Sequence, residues 1–282
     1  MKKILITGVG SYIGVNVEKH LLQWPEEYQI NSVNMIGEEW KKADFSSYDV
    51  VFHVAGIAHI KETKENSHLY YDVNEHLAVA VAEKAKNEGV KQFIILSTMS
   101  VYGLTIGHIT KETIPNPVNS YGKAKYNADL KIEKLDCPTF KVAILRPPMV
   151  YGKGCKGNYQ TLRKFALKSP IFPNFKNERS MIYIGNLAAF VKDCVDEEKH
   201  GIFFPQDAEY VCTADMVKMI AKHNDKKIVI ISEFNWVITI MNAFGIEVFK
   251  KVFGSLTYEK VDLVEDFCFE DAMRTIERRT GL

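Results

Sequence analysis

Near its start the chain reads Ile4-Leu5-Ile6-Thr7-Gly8-Val9-Gly10-Ser11-Tyr12-Ile13-Gly14, an apolar run that leads into a glycine-rich turn and then a helical pattern. Gly8 permits a tight turn, and Gly14 lets the helix pack closely on the strand. Small residues at Gly10 and Ser11 let backbone N–H groups approach a pyrophosphate at the helix N-terminus. The stretch therefore predicts a dinucleotide-binding turn with contacts from Gly8, Gly10, Ser11, Tyr12, Ile13 and Gly14.

The sequence that follows alternates short apolar runs with helical patterns. Strands are predicted over Lys3–Thr7, Ile30–Met35, Asp49–Val54, Gln92–Ser97 and Phe140–Arg146. Helices are predicted over Tyr12–Gln23, Asp72–Glu88 and Tyr121–Leu135, the second closed by Gly89. Strands that are apolar on both faces, alternating with helices, are typical of a parallel sheet covered on both sides. The predicted fold class is α/β, with a doubly wound parallel sheet.

Composition excludes several kinds of partner. The 282 residues carry 36 basic and 35 acidic side chains, a net charge of +1, which gives no field for nucleic acid or an anionic membrane. The five cysteines form no CxxC pair and no metal-ligand pattern with the histidines, so no metal is expected. The first residues lack the apolar core of a secretory signal, which predicts a cytoplasmic protein. The uncharged stretch Phe234–Ile246 is shorter than the roughly 20 residues of a membrane span.

The choice of dinucleotide stays open in the sequence. An acid commonly ends the second strand of such folds and holds the adenosine ribose hydroxyls, but here the strand ends at Asn34-Met35. Asn34 can bond a 2′-hydroxyl but cannot repel a 2′-phosphate, so both NAD and NADP are compatible. Asp44 and Phe45, ahead of the third strand, are predicted adenine contacts. A solvated loop acid is the alternative for Asp44.

Tyr121 and Lys125 provide the candidate proton chemistry. They are four residues apart in a helical pattern and so share one helix face. A tyrosine has a pKa of about 10, and a nearby ammonium would bring it toward the working range. The fourth strand delivers Thr98 and Ser100 at its C-terminal edge, where open α/β sheets place their ligands. A hydroxyl there can hold the oxygen whose proton Tyr121 moves.

Together these motifs resemble the extended short-chain dehydrogenases of the NAD-dependent epimerase/dehydratase family. The resemblance also includes Val51–Gly56, Asn74, Leu145–Gly152 and Arg179–Leu187, and covers roughly two-thirds of the chain in the family's order. It implies a modified Rossmann fold that binds NAD(P) and a nucleotide-linked sugar. The implied division is an NAD(P)-binding core at 1–152 and 181–206, with a small substrate-binding subdomain at 153–180 and 207–282.

The resemblance also implies roles for single residues. Tyr121 would be the general acid/base, Lys125 would bind the nicotinamide ribose and lower the tyrosine pKa, and Thr98 would bond the reacting oxygen, with Ser100 a less favoured stand-in. The implied cofactor side of the site includes Val54, Ala55, Gly56, Asn74, Tyr121, Lys125 and Pro147. Arg179 would meet the substrate diphosphate, and Asn158 a phosphate or the sugar. An ordinary surface amide is the alternative for Asn74, and a surface salt bridge for Arg179.

The pair Met99-Ser100 narrows the reaction. Family members that dehydrate sugars carry Asp-Glu at this place, an acid and a base that expel water. Neither Met99 nor Ser100 can transfer those protons, so a 4,6-dehydratase is not expected. Reduction of a UDP-4-keto-6-deoxy-N-acetylhexosamine, as in reductases of bacterial capsule and O-antigen clusters, is the leading prediction. A UDP-glucose-type 4-epimerase is the alternative. A hydroxysteroid-type dehydrogenase and a non-catalytic, cofactor-sensing regulator are weaker ones.

Family dimers pair two helices from each subunit, which here would be Asp72–Glu88 and Tyr121–Leu135. The resemblance therefore implies a homodimer. Five alanines on these helices would suit close packing between subunits: Ala78, Ala82, Ala85, Ala124 and Ala128. The same alanines could equally face the protein's own sheet.

Overall fold

The computed structural model describes residues 1–58, 60, 62–233, 235 and 247–278. Of the apolar stretch Phe234–Ile246, all but Asn235 lies outside these residues. The chain forms two compact units. The first unit comprises 1–103, 114–147 and 187–205, and the second comprises 104–113, 148–186 and 206–282.

Strands and helices alternate through the first half of the chain. The strands are β1 (Lys2–Thr7), β2 (Tyr28–Val33), β3 (Val50–His53), β4 (Gln92–Leu96), β5 (Gly107–Ile109), β6 (Lys141–Leu145), β7 (Met149–Tyr151), β8 (Ile171–Pro173), β9 (Met181–Tyr183), β10 (Gly201–Phe203), β11 (Gln206–Asp207), β12 (Val229–Ile231), β13 (Leu256–Tyr258) and β14 (Leu263–Val264). The α-helices are α1 (Tyr12–Leu21), α2 (Ser67–Tyr71), α3 (Ala78–Asn87), α4 (Ser120–Glu133), α5 (Asn158–Lys168), α6 (Ile184–Asp196), α7 (Thr213–His223), α8 (Glu247–Phe253) and α9 (Phe269–Glu277). Two 3₁₀ turns (Glu39–Lys42 and Met99–Tyr102) and a π-helical turn (Asp72–Leu77) complete the order.

The first unit is built on a parallel six-stranded sheet. Its strand order is β10-β6-β4-β3-β1-β2, and every pairing is parallel. The chain runs from β1 outward to β2 and then returns to the other side of β1 as β3. The carboxyl ends of β1 and β3 therefore form the switch point at which doubly wound sheets bind ligands. The predicted fold class is confirmed, with β10 as a sixth strand.

Both faces of the sheet are covered by helices. One face packs Leu5, Val51 and Phe93 against apolar residues of α3 and α4 in a single buried cluster. The side chains of Ile6 and Ile94 alternate to the opposite face, where Gly14 brings α1 close to Ile6. This double burial is the reason that the strands are almost wholly apolar.

The alanines of α3 and α4 belong to this core. Ala78, Ala82, Ala85, Ala124 and Ala128 are fully buried within the chain's own fold. The prediction that they form an outward face for a second subunit is wrong, because their small side chains serve close packing of the helices on the sheet. The homodimer stays a prediction, without these residues as its support.

The second unit contains short parallel strand pairs and helices. The pairs are β7 with β9, β11 with β14, β12 with β8, and β13 with β5. The predicted core included residues 104–113, but these belong to the second unit because β5 pairs with β13. Two buried polar clusters hold this unit. Asp207 accepts from Tyr151 and Asn186, and Glu277 accepts from Tyr159 and Arg163.

Two absences hold for the described part of the chain. None of its helices combines the length and the apolar character needed to cross a membrane. Nor does it contain a group of three or more His, Cys, Asp or Glu side chains placed to hold a metal ion.

Candidate active site

The glycine turn is formed by a close approach of β1, β3 and α1. Gly8 has φ +117°, and a Cβ there would lie 3.1 Å from the backbone of Ala55. At Gly14 a Cβ would lie 2.5 Å from the Ser11 hydroxyl and 3.1 Å from a methyl group of Val54. Only glycine fits either position without displacing its neighbours. Five of the predicted cofactor residues, Gly8, Ser11, Gly14, Val54 and Ala55, are therefore brought together at the switch point.

The start of α1 presents an unobstructed helix N-terminus. Ser11 caps the helix by accepting a hydrogen bond from the Gly14 N–H at 3.2 Å. Tyr12 and Ile13 form its first two positions. Gly10 has φ +75°, and no atom lies within 4 Å of the place its Cβ would take. The helix N-terminus and the open space beside Gly10 suit the approach of a pyrophosphate.

The three residues predicted to contact adenosine make bonds within the chain. Asn34 is exposed and accepts from the Ile36 N–H at 3.0 Å. Asp44 accepts from the backbone and hydroxyl of Ser46, which lowers its pKa. Phe45 is buried, and its N–H donates to Glu88 at 2.6 Å. Their roles toward a cofactor stay predictions.

The candidate catalytic groups meet where β4 ends against α4. Lys125 is buried and donates to the Leu96 carbonyl at 2.9 Å. Thr98 begins the turn Met99–Tyr102 by accepting from the Ser100 N–H at 3.1 Å, and its side chain lies close enough to the Tyr121 phenol to lower the pKa of that group. Met99 donates to the Pro147 carbonyl at 3.0 Å, which ties this turn to the end of β6. Thr98 is thus the hydroxyl that contacts Tyr121.

Burial dominates the ionisation of both groups. It raises the pKa of Tyr121, and the Thr98 hydrogen bond opposes that shift only in part. It lowers the pKa of Lys125 to about 8. The expected lowering of the tyrosine pKa by Lys125 does not occur in the protein chain alone, because desolvation of the phenolate is the larger effect.

Asn74 belongs to the same site. It is fully buried in the π-helical turn, and its carboxamide bonds both the N–H and the carbonyl of Ile57 at 2.9 Å. A Cβ on Gly56 would lie 2.8 Å from the Asn74 oxygen and 3.4 Å from the Lys125 nitrogen. Asn74 is therefore not a surface amide. It fixes the loop after β3 and borders the Lys125 ammonium across Gly56.

In the second unit, Arg179 is a half-buried cation. Its guanidinium donates to the Gly254 carbonyl at 2.8 Å, at the C-terminal end of α8. Burial lowers its pKa, and no carboxylate in the described residues pairs with it. The alternative prediction, that Arg179 forms a surface salt bridge, therefore does not hold among the described residues. Its remaining N–H groups suit an anion such as a diphosphate.

Asn158 occupies a different kind of position in that unit. It is exposed and is the first residue of α5, directly after Gly157 with φ +93°. An exposed amide at a helix start can meet a polar ligand group. The described contacts of Asn158 do not assign it one.

A family model described as the NAD dependent epimerase/dehydratase family matches residues 4–200. The chain belongs to this family. The match includes the glycine turn, Thr98, Tyr121, Lys125 and Arg179, so the resemblance drawn from the sequence motifs is confirmed. This family member is accordingly an NAD(P)-dependent enzyme.

Similar proteins include several 4-epimerases. UDP-glucose 4-epimerase from Vibrio cholerae is 32% identical over 252 residues, which cover 80% of this chain and 76% of that protein. N-acetyl-alpha-D-glucosaminyl-diphospho-ditrans,octacis-undecaprenol 4-epimerase from Escherichia coli O157:H7 is 30% identical over 197 residues, 67% of this chain and 58% of that protein. UDP-glucuronic acid 4-epimerase from Bacillus cereus, solved in complex with NAD, has TM-score 0.74 at 18% identity and covers 98% of this chain and 97% of that one.

A reductase has the same fold. dTDP-4-dehydrorhamnose reductase from Bacillus anthracis str. Ames, solved with NADP, has TM-score 0.65 at 20% identity, with 84% of this chain and 86% of that one covered. The fold is therefore shared by epimerases and reductases. The residues of this family member fit a nicotinamide dinucleotide, because the turn at Gly8–Gly14 leaves open space beside a capped helix N-terminus.

Three residues around the site were not predicted from the sequence. Tyr70 is buried edge-to-face on the Tyr121 ring, with ring centroids 6.2 Å apart. Glu62 accepts from the backbone and hydroxyl of Ser120, the first residue of α4. Asp129 lies two turns beyond Tyr121 on the same helix. Its spacing of four from Lys125 was the one available signal, whereas Tyr70 and Glu62 reach the site only through the fold.

Proposed function

We propose that this enzyme interconverts the C4 epimers of a UDP-linked hexose through a transient 4-keto sugar. Supporting this are the 4-epimerases among its relatives, above all the 32% identity to UDP-glucose 4-epimerase over 80% of the chain. The Thr98–Tyr121–Lys125 arrangement supplies the reversible proton transfer at a sugar hydroxyl that such a reaction needs. The observation on which the proposal depends most is that Tyr121, half-buried at the start of α4, lies beside Thr98 at the carboxyl edge of the sheet.

The residues have distinct tasks in this reaction. Thr98 holds the C4 oxygen, and Tyr121 removes its proton as the C4 hydrogen leaves as hydride. Bound NAD, held by the turn at Gly8–Gly14, would accept this hydride and return it. Once the keto sugar presents its other face, Tyr121 gives the proton back to the C4 oxygen, so the cofactor and proton inventory is unchanged. Lys125 offers a positive charge that favours the phenolate at the moment it forms, and Asn74 keeps the loop at Gly56 in place beside it.

Substrate binding is assigned to the second unit. Arg179 has unpaired guanidinium N–H groups and no acidic partner in the described chain, as a diphosphate-binding arginine requires. Asn158 is proposed as a further polar contact to the substrate. Because the net charge is only +1, the anionic substrate is recognised by placed groups rather than by a basic field.

Reduction of a UDP-4-keto-6-deoxy-N-acetylhexosamine is the second candidate. It is favoured by the motifs Lys141–Gly152 and Asn177–Ile184, whose sequences resemble those of reductases of capsule and O-antigen clusters. Asn34, in place of an acid after β2, also leaves room for the 2′-phosphate of NADPH. In this reaction Tyr121 protonates the nascent alkoxide once, and one reduced cofactor is consumed for each sugar.

The two reactions are separated by cofactor stoichiometry. Purified enzyme with catalytic NAD is incubated with UDP-glucose and with UDP-N-acetylglucosamine, and the C4 configuration is followed by proton NMR. We expect conversion to the galacto epimer without net formation of NADH. In parallel, UDP-4-keto-6-deoxy-N-acetylglucosamine is offered with NADH and with NADPH. Stoichiometric loss of reduced cofactor there, with no epimerisation of either UDP-hexose, would replace the first proposal by the second.

A further inference from the structure

A buried charged network lies directly behind the candidate catalytic pair. Asp129, with 1% of its surface exposed, accepts from the Ser97 hydroxyl at 2.8 Å and from the Arg146 guanidinium at 2.9 Å. Arg146 also donates to the Tyr102 hydroxyl at 2.9 Å. Both of the bonds to Asp129 end on the same oxygen, Oδ2. These bonds fix the position of the carboxylate but use only one of its two oxygens.

The other carboxylate oxygen, Oδ1, is buried and has no hydrogen-bond partner in the described chain. Tyr121, Lys125 and Asp129 follow one another at intervals of four residues along α4, so they share one helix face. Such an unsatisfied oxygen is costly in a protein interior, and its negative charge acts over a longer range there than in water.

Among the described residues, Asp129 is the carboxylate whose charge acts on both Lys125 and Arg146. Two buried cations face it, Lys125 from its own helix and Arg146 from the end of β6. The remaining titratable neighbours are Tyr70 on α2, Tyr126 on α4, Tyr102 on the turn after β4, whose pKa burial raises, and His53 on β3, whose pKa burial lowers to about 3. The Asp129 carboxylate thus interacts with two cations, the Lys125 ammonium and the Arg146 guanidinium.

We propose that Asp129 is a positioning residue whose buried negative charge keeps Lys125 protonated and sets the pH range in which Tyr121 and Lys125 work together. Burial raises the pKa of Asp129, whereas Arg146 and Ser97 oppose that shift and hold the carboxylate in place. The inference rests on the proposed function only in taking Tyr121 and Lys125 as the reacting site. It applies equally to epimerisation and to reduction.

The negative charge of Asp129 raises the pKa of both Lys125 and Tyr121. A nearby carboxylate favours the ammonium of Lys125 and disfavours the phenolate of Tyr121, and both directions are present in the structure. Removal of the charge therefore lowers the pKa of each group. Because activity depends on both ionisations, both limbs of the activity profile should move to lower pH. A residue that only stabilised the fold would lower activity at every pH without displacing either limb.

The decisive measurement titrates Lys125 directly and needs no substrate. Enzyme labelled with carbon-13 at the lysine Cε is followed by NMR, and the Lys125 signal is the one lost in Lys125→Arg. We expect it to titrate near 8 in the native protein. In Asp129→Asn it should titrate about one unit lower, and both limbs of the activity profile should follow. Asp129→Glu, which keeps the charge, should restore the native values.

Glu75→Gln is the matched control. Glu75 is also a buried carboxylate bound to α4, through Asn127 at 2.8 Å and Lys131 at 2.7 Å, but neither Tyr121 nor Lys125 is among its contacts. Its loss should leave the Lys125 titration unmoved. An equal shift in Glu75→Gln and Asp129→Asn would overturn the proposal, because it would show a general effect of loosening the helix.

Arg146→Gln covers the case in which Asp129→Asn does not fold. It leaves one cation facing one anion, so the unopposed carboxylate should raise the pKa of Lys125 and move the profile to higher pH. Lys125 titrating at its native value in this variant, or in folded Asp129→Asn, would refute the role of Asp129. Because the NMR titration is independent of turnover, an enzyme with the wrong assigned substrate would still give the expected shift.

Discussion

The two units differ in how they hold their candidate functional residues. In the first unit, Lys125 is buried and Tyr121 half-buried, and their neighbours Thr98, Asn74 and Leu96 come from three different elements. In the second unit, the Arg179 guanidinium makes one hydrogen bond within the described residues, to the Gly254 carbonyl, and Asn158 is exposed at the start of a helix. Groups that transfer protons must be held within tenths of an ångström, whereas groups that bind a flexible diphosphate keep donors unpaired until the ligand arrives. The candidate proton-transfer residues are therefore held rigidly in the first unit, and the candidate substrate-binding residues keep free donors in the second.

The largest effect should come from removing the Tyr121 hydroxyl. Tyr121→Phe keeps the ring against Tyr70 but loses the proton-transfer group, so turnover should fall by about 10³-fold. Cofactor affinity, measured by fluorescence titration, should stay within about twofold of the native value. Turnover that survives this change would show that the proton transfer does not depend on Tyr121 of the first unit.

Arg179→Met should act on binding instead. Loss of charged hydrogen bonds to a diphosphate is worth about 1.5–3 kcal/mol, so UDP affinity by calorimetry should weaken about 10- to 100-fold. Arg274→Met is the matched control, since Arg274 is an exposed arginine of the same unit in a surface ion pair with Asp271. Equal affinity losses in the two variants, or none in Arg179→Met, would remove Arg179 from the substrate site.

Gly10→Ala and Gly89→Ala separate strain from cofactor binding. Both glycines have positive φ, +75° and +83°, and at neither would a Cβ meet an atom within 4 Å. Each substitution should lower the free energy of unfolding by about 1–2 kcal/mol, measured in urea. Only Gly10→Ala should also weaken cofactor binding, by about tenfold, because the pyrophosphate must approach its backbone. A parallel loss in Gly89→Ala would show that the cofactor effect is global destabilisation.

The smallest effects are opposite pH dependences in the two units. Burial lowers the pKa of His53 to about 3, so the stability it gives is present above its unfolded pKa of about 6.5 and is lost as the pH falls. Burial raises the pKa of Asp207 to about 6, so its contribution is present at low pH and is lost as the pH rises through 6. Between pH 5.5 and 6.5, His53 should add about 1 kcal/mol to the first unit.

Hydrogen exchange with mass spectrometry at pH 4.5, 5.5 and 6.5, corrected for intrinsic rates, would resolve these signs. Protection of β3 should rise with pH, while protection of β9, which contacts Asp207 through the Tyr183 N–H, should fall. His53→Asn and Asp207→Asn should each flatten the response of their own unit only. Identical responses of β3 and β9 would mean that the two units unfold together.

Much of the first unit was predictable because its signals are local. Each of the five predicted strands overlaps an observed one, and the predicted end of a helix at Gly89 coincides with a glycine of φ +83°. The second strand ends two residues early, since Asn34 starts a side-chain-bonded turn and Met35 is buried without being in the strand. The strand Gly201–Phe203 was missed because three residues at a sheet edge carry too little pattern.

The alanines of α3 and α4 show the limit of a pattern. Their spacing gave a stripe of small residues on each helix, but a stripe does not say which surface it meets. The pKa of Tyr121 shows the same limit. The helical spacing to Lys125 was correct, but the balance between an ammonium and burial depends on how much water the fold removes.

The sequence alone predicted the α/β class, the glycine turn, and Tyr121 and Lys125 on one helix face, because each depends on spacing within a strand, a turn or a helix. Only the tertiary structure decided that Asn74 is buried, that Tyr70 packs on Tyr121, and that Asp129 bonds Arg146 while its charge acts on Lys125. Those facts depend on contacts between residues far apart in the chain. Solvent exclusion and charge pairing arise from such contacts, and they set how the site ionises.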